Sequence, residues 1–262
     1  MAHSPATKQN ALPWLIIISG CLIALMTFGP RSAMGIFQLP LLTEKGWDRT
    51  TFGLAMALQN LAWGAGQPFF GAIADKYGTW RVLLLSALLY ASGLLMMAHA
   101  DAPIWLHIGG GILVGLGVAA GSFGIVLSAF ARNVPAENRT FVFGLGTAAG
   151  SAGMFVFAPI SLGLIERYGW SDALVYMGIA MLVIPLLAIP LAGNSSSGRI
   201  SEDAYKQSIG AALREALGHK SYLLLTSGFF VAAFRWRSSP RIFRPISPIS
   251  ALSRNMPSGG WR

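Results

Sequence analysis

A chain of 262 residues with 54% hydrophobic and 11% charged side chains, and a mean hydropathy of +0.57, is too apolar for an ordinary soluble globule, in which about a quarter of residues are charged. Its net charge of +9 does not mark a nucleic-acid binder, because six of the nineteen Lys and Arg residues fall in the last 28 positions and most of the others in alternate loops. Cys21 is the single cysteine, which excludes an intrachain disulfide and leaves the redox compartment open.

In chain order, residues 1–12 form a short amino-terminal segment carrying Lys8. Six windows of about 20 mostly apolar residues follow, each long enough to cross a bilayer as a helix: Pro13–Gln38, Phe52–Ile73, Val82–His99, Ile104–Ala131, Phe141–Ile165 and Ala173–Leu191. The first is longer than the apolar core of a signal peptide, and no small-residue cleavage pattern follows it, so it reads as a retained helix. The 31 glycines suit close helix packing in lipid, and alternating ten-residue strands of a β-barrel are not seen. Placing the amino terminus in the cytoplasm puts Lys8, Lys76, Arg81, Arg132, Arg139, Arg199, Lys206, Arg214 and Lys220 inside. Only Lys45, Arg49 and Arg167 then fall outside, as the positive-inside bias requires.

Arg31 is the one ionisable residue well inside a span, after Gly29-Pro30 and before Ser32, where the helix is expected to bend or break. A cation at that depth costs about 2.5–3.5 kcal/mol on insertion scales and faces a cavity or a partner. Its forked donors match a carboxylate. Snorkelling to the outer interface is the competing reading. Gln59 and Asn60, with Gln67 two turns on, add neutral hydrogen-bonding groups that either line the same cavity or bind helices together. Pro68 and Pro159 mark kinks, and His107 reads as an interfacial histidine. The run Gly109-Gly-Gly-Ile-Leu-Val-Gly115-Leu-Gly117 lacks the preceding strand and following acid of a dinucleotide fingerprint, and reads as a packing face.

Two short segments echo each other. Asp75-Lys76-Tyr77-Gly78 follows the second span and Glu166-Arg167-Tyr168-Gly169 the fifth, each preceded by a glycine (Gly71, Gly163) and followed by a tryptophan (Trp80, Trp170). The acids lie three spans apart on opposite sides of the membrane, the pattern of duplicated three-helix units of inverted topology. In each, an acid beside glycines is placed to accept from the next helix's first amides.

The segment Gly71-x-x-x-Asp75-Lys76-x-Gly78-x-Trp80-Arg81 resembles the signature loop after the second helix of the major facilitator superfamily, with Trp80 in place of one basic residue. Gly-Pro-Arg31-Ser-x-x-Gly-x-Phe in the first span and Ala-Leu-Gln59-Asn60-Leu-x-Trp-Gly in the second resemble one branch, the bacterial relatives of monocarboxylate and oxalate–formate transporters. The resemblance implies an all-α membrane protein. Its six-transmembrane-helix bundle would be half of a twelve-helix fold, a 3+3 inverted repeat, in the bacterial inner membrane. It implies transport of a small organic anion by alternating access, coupled to a proton or a counter-anion. Arg31, Gln59 and Asn60 would contact substrate, and Gly71, Asp75, Lys76, Gly78 and Arg81 would gate the cytoplasmic side. The second copy of the motif is Gly163, Glu166, Arg167 and Gly169. No cofactor, metal or nucleic acid is called for. Many relatives carry an arginine four residues before Gly115, where this chain has Gly111, which weakens any claim to proton coupling through it.

Residues 194–220 read as a cytoplasmic linker with an amphipathic helix, and 221–234 as a seventh apolar run too short to span. Residues 235–262, with six Arg, six Ser, four Pro and no acid, read as a basic disordered tail. The expectation is that this tail is a frameshifted reading of an original second half, leaving a truncated chain inactive alone. A genuine tail binding anionic lipid stays open, as does a degenerate, non-transporting membrane scaffold. No nucleophile with a base, no metal cluster and no pair of intramembrane acids argues for an enzyme.

Overall fold

The structure is a computed structural model that describes residues 13–192 and, from the stretch beyond, 218–221, 223, 224, 227 and 228. Expectations for residues 1–12 and for the basic tail lie outside the described residues; the linker and the seventh run are met only at those scattered positions. The chain divides into two units, Met1–Arg199 and Ile200–Arg262, and all the helices below belong to the first.

Six helical rods follow one another: α1 (Trp14–Lys45), α2 (Arg49–Tyr77), α3 (Thr79–Ala98), α4 (Pro103–Asn133), α5 (Arg139–Tyr168) and α6 (Trp170–Leu187), with no strand among the described residues. Five of them, α1 and α3–α6, are long and apolar enough to cross a membrane. α2 has the length, at 29 residues, but Gln59, Asn60, Gln67, Asp75 and Lys76 dilute its apolar character.

α1 runs further than its apolar window suggested, through Pro40 to Lys45, and it does not break at Gly29-Pro30. Proline removes one amide donor, but the Ser32 hydroxyl donates to the Gly29 carbonyl at 2.7 Å, and α5 braces α1 along its length. The break occurs in α4 instead. Its residues His107–Leu113 form a π-helix, and the rod is interrupted at Gly121–Ser122 before resuming over Phe123–Asn133.

The packing follows a simple pairing. α1 lies mainly on α5, α2 on α4, and α3 on both α4 and α6. The buried stripe of α1 (Ile17, Gly20, Ile23, Ala24, Thr27, Pro30, Met34, Phe37, Leu41) recurs every three to four residues, the period of one helix face. Gly29 receives the ring of Phe157, and Gly153 meets the backbone of Leu25, so the α1–α5 contact is made through small residues. Outward-facing Leu15, Leu39, Leu61 and Phe155 are 68% exposed or more, an apolar coat that water would penalise and lipid accepts.

The two echoed segments are helix ends rather than loops. α2 ends at Tyr77 and α3 begins at Thr79, with Gly78 alone between them; α5 ends at Tyr168 and α6 begins at Trp170, with Gly169 alone between them. Gly78 (φ 91°, ψ 150°) and Gly169 (φ 85°, ψ 164°) adopt nearly the same conformation, and each donates its N–H to the carbonyl four residues back. Side chains rarely tolerate that φ. Gly163 is helical, and a Cβ there meets nothing within 4 Å. Gly169→Ala should therefore destabilise the bundle by about 1–3 kcal/mol while Gly163→Ala leaves it unchanged or slightly more stable, read as thermal unfolding of the purified protein by tryptophan fluorescence; equal effects would refute the turn's dependence on glycine.

Candidate functional site

Arg31 lies near the middle of α1, half-buried, and three features of the bundle converge on it. Its Nη2 donates to Asn60 Oδ1 of α2 at 2.5 Å. Its guanidinium sits 4.3 Å above the Trp63 ring, and Phe28 meets that indole edge-on at 6.2 Å. One turn before Arg31, the Thr27 carbonyl accepts from the buried Tyr90 hydroxyl of α3 at 3.3 Å. The charge is thus neither snorkelling nor bare. A desolvated cation–π contact contributes about 2 kcal/mol and a charge-assisted hydrogen bond about 1.5–3 kcal/mol, enough to offset the ~2.5–3.5 kcal/mol insertion cost.

What remains unsatisfied is informative. Among the described residues, three side-chain polar atoms wholly shielded from solvent lack a hydrogen-bond partner: Arg31 Nε, Trp63 Nε1 and Thr27 Oγ1. Two of them belong to the cation–π pair, and the third lies one helical turn from Arg31 on the same face. All three can donate. The site is donor-rich and short of acceptors, which is the chemistry that receives an anion.

The three polar residues expected beside Arg31 separate. Asn60 joins it, but its Nδ2 donates to the Met56 carbonyl at 2.7 Å, so it turns an acceptor toward Arg31 and orients the guanidinium. Gln59 is buried on the other face of α2 and donates to the Gly110 carbonyl at 2.8 Å, the interhelical role weighed for it from sequence. Gln67 lies further along α2, beside a cavity at the α4 break. Phe28, Trp63, Thr27 and Tyr90 were missed; the i, i+3 spacing of Asn60 and Trp63 was the available signal.

α2 and α4 are stitched in both directions. Gln59 reaches the π-helical stretch of α4, and His107 Nε2 meets the Thr51 carbonyl of α2 at 3.0 Å, which fixes the proton on Nε2. A Cβ on Gly111 would lie 3.1 Å from the Ala55 carbonyl. A side chain at that place would press on the α2 backbone, which would have to yield by a few tenths of an ångström.

The signature segment is built differently from the sequence expectation. Asp75 does not cap α3. Its carboxylate pairs with Arg132 of α4 at 3.8 Å, and Arg132 also donates to the Thr79 hydroxyl at the start of α3 and to Ser128 Oγ at 3.4 Å. One guanidinium thereby ties the ends of α2, α3 and α4. Trp80 donates to the Pro185 carbonyl of α6 at 3.3 Å, Lys76 lies over the Tyr77 ring at 5.3 Å, and Arg81 is exposed. A Cβ on Gly71 would meet nothing within 4 Å, so no close helix contact among the described residues requires a glycine there. At the opposite end, Trp170 donates to Glu44 at 2.6 Å, Ser171 to the Ala98 carbonyl at 2.9 Å, Lys45 pairs with Asp101 at 3.7 Å, and Arg167 covers Tyr168 at 5.6 Å. Glu166 has no ion pair among the described residues.

The major facilitator superfamily model matches residues 16–252. The chain belongs to the major facilitator superfamily. Similar proteins are monocarboxylate transporter 13 of Bos taurus (23% identical, covering 88% of this chain and 54% of that protein) and monocarboxylate transporter 9 of Gallus gallus (26% identical, 65% and 33%). Another is the "Probable galactarate/D-glucarate transporter GudP" of Bacillus subtilis (strain 168), 23% identical over 70% of this chain and 41% of that protein. The chain spans about half the length of the monocarboxylate transporter 13 it matches. As a major facilitator it is a multi-pass membrane protein, and its signature acid is engaged inside its own bundle by Arg132. Because Asp75 is half exposed, a double-mutant cycle on Asp75→Asn and Arg132→Gln should return a coupling of only about 0.2–1 kcal/mol that fades as salt rises; a salt-independent coupling well above that range would show the pair to be desolvated.

Proposed function

We propose that this segment binds a small organic anion, monocarboxylate-like, at Arg31, and forms one wall of an alternating-access path through the membrane. The carrying observation is the cluster of unpartnered donors at Arg31, Trp63 and Thr27. A carboxylate arriving there accepts from Arg31 Nε and displaces Asn60 Oδ1 from the guanidinium, while the cation–π contact keeps the charge in place. The names of the similar transporters, which carry monocarboxylates or sugar acids, support the substrate class.

The same reading makes α2 a sixth span, its polar residues facing the path and α4. It takes α1–α3 and α4–α6 as inverted repeats: a two-fold relating them exchanges the α1–α5 pair with the α4–α2 pair and returns α3–α6 to itself, and these three pairs are among those found, although the close α3–α4 pair has no equally close α6–α1 counterpart. The matching turns at Gly78 and Gly169 support it as well. The basic residues near Asp75, with the positive-inside bias, support an orientation in which that end, and both ends of the six-helix unit, face the cytoplasm across a bacterial inner membrane. There the Asp75–Arg132–Thr79 tie holds α2–α4 as one body, so that substrate binding shifts the balance between whole-body arrangements. The coupled species is a proton or a counter-anion.

The test is equilibrium binding of labelled lactate and acetate to the purified chain in lipid nanodiscs. Arg31→Gln should weaken binding by tenfold or more, since removing one member of a buried charge contact costs about 2–5 kcal/mol. Arg31→Lys should recover only part of it, having the charge without the fork. Binding indifferent to Arg31→Gln would overturn the site, and robust saturable uptake by this polypeptide alone would overturn the one-wall role.

A further inference from the structure

The interruption of α4 leaves a second donor-rich place that the Arg31 site does not use. Gly121 (φ −92°, ψ 10°) and Ser122 (ψ 154°) leave the helix, and α4 resumes as an 11-residue segment at Phe123. The neighbours approach closely here. A Cβ on Gly121 would lie 2.6 Å from Ser86 Oγ and 2.9 Å from Thr27 Oγ1, and Ser86 donates to the Gly117 carbonyl at 2.6 Å. Side chains from α1 and α3 are wedged against the rod at this point. The resumed segment begins with backbone amides that have no helical acceptor and with the positive end of its dipole.

A cavity of about 250 Å³ opens on this new helix start, between α4 and α2. Ser122 lines it while only 5% exposed; its hydroxyl caps no amide of the segment it precedes and has no partner among the described residues. The Gln67 amide lines it from α2. Gly71 and Gly124 leave it open, for a Cβ on Gly71 meets nothing within 4 Å and one on Gly124 meets only Ser122 Oγ at 4.0 Å. Asp75 lines it too, but that carboxylate is paired with Arg132. Ser128, also on the wall, gives its proton to the Ile125 carbonyl and its lone pair to Arg132. Counting groups not already engaged, the cavity offers amides, a hydroxyl and a carboxamide, a set that suits an anion.

We propose that this cavity is a second subsite for the same small carboxylate, between the Arg31 site and the end of the bundle held by Arg132. The inference rests on the carboxylate reading of Arg31. An anion leaving Arg31 would meet the Ser122 hydroxyl and the free amides at the α4 break next, and then Arg132, whose tie to Asp75 it would compete for. The α4 break is thereby a relay point in the path.

Labelled lactate binding to the chain in nanodiscs separates the two sites. The wild type should hold lactate in two classes, and Arg31→Gln should leave one. Adding Gly124→Leu, which fills the cavity where no neighbour crowds it, should reduce the remaining class by at least about tenfold, and adding Ser122→Ala, which removes a donor without filling, should reduce it several-fold; gel filtration and thermal unfolding verify that both variants fold. If Arg31→Gln abolishes all binding, or the remaining class ignores both Gly124→Leu and Ser122→Ala, the second subsite is wrong and the Arg31 reading stands. If wild-type binding ignores Arg31→Gln but is lost with Gly124→Leu, the Arg31 reading is wrong. A chain that binds no lactate overturns both.

Discussion

The structure depends on how closely the backbone of α4 is approached by its neighbours. Gly109 lies against Gly93 of α3, Gly117 against the Tyr90 backbone, and Gly111 and Gly115 against the α2 backbone at Ala55 and Gln59. A methyl group at these positions would fall within about 3 Å of another helix, closer than packed side chains allow. The consequence reaches the site. α1 and α2 touch each other little beyond the contacts of Arg31, so it is the close α2–α4 packing that holds Asn60 and Trp63 where Arg31 can meet them. In lipid, where apolar surface gives helices no reason to associate, such small-residue contacts and interhelical hydrogen bonds set the geometry.

Much of this was legible in the sequence for physical reasons. Long apolar windows have few ways to satisfy their backbone in lipid, and the helix is the simplest, so five spans and the all-helical class followed. The glycine run read as a packing face is one. Gly78 and Gly169, paired in the sequence by the echo of their neighbouring residues, prove to share a backbone conformation. Arg31 stood out from cost alone, as a charge inside a span, and the structure gives it partners in Asn60 and Trp63.

The misplaced details all required knowing which helix faces which. The Gly29-Pro30 segment led to the expectation of a bend or break in α1, but a proline in a well-braced helix removes one bond and α1 runs on unbroken, whereas the neighbours at the α4 break are Thr27 and Ser86, 94 and 35 positions from Gly121 along the chain. Asp75 read as a helix cap because Gly78 follows it, yet the carboxylate finds Arg132, 57 residues on. Gln59 and Asn60 are sequence neighbours, and adjacent residues on a helix point about 100° apart. One was bound to turn from the site when the other faced it.

The two matched turns differ in what clamps them, and that difference gives the bundle a direction. At one end a single guanidinium holds α2, α3 and α4 through Asp75, Thr79 and Ser128. At the other, Glu166 is without such a partner among the described residues, and the ties run from Trp170 and Lys45 to Glu44 and Asp101 instead. A bundle clamped alike at both ends would have no physical reason to favour opening on one side. Here the tie around Arg132 is half exposed and ionic, so salt and competing anions weaken it. At the other end the Lys45–Asp101 pair is ionic and exposed as well, while the Trp170–Glu44 bond, whose donor is neutral, responds less to salt. What separates the two ends is position: Asp75 and Ser128 border the cavity at the α4 break, so an anion held in that cavity would meet the Arg132 tie before any tie at the other end.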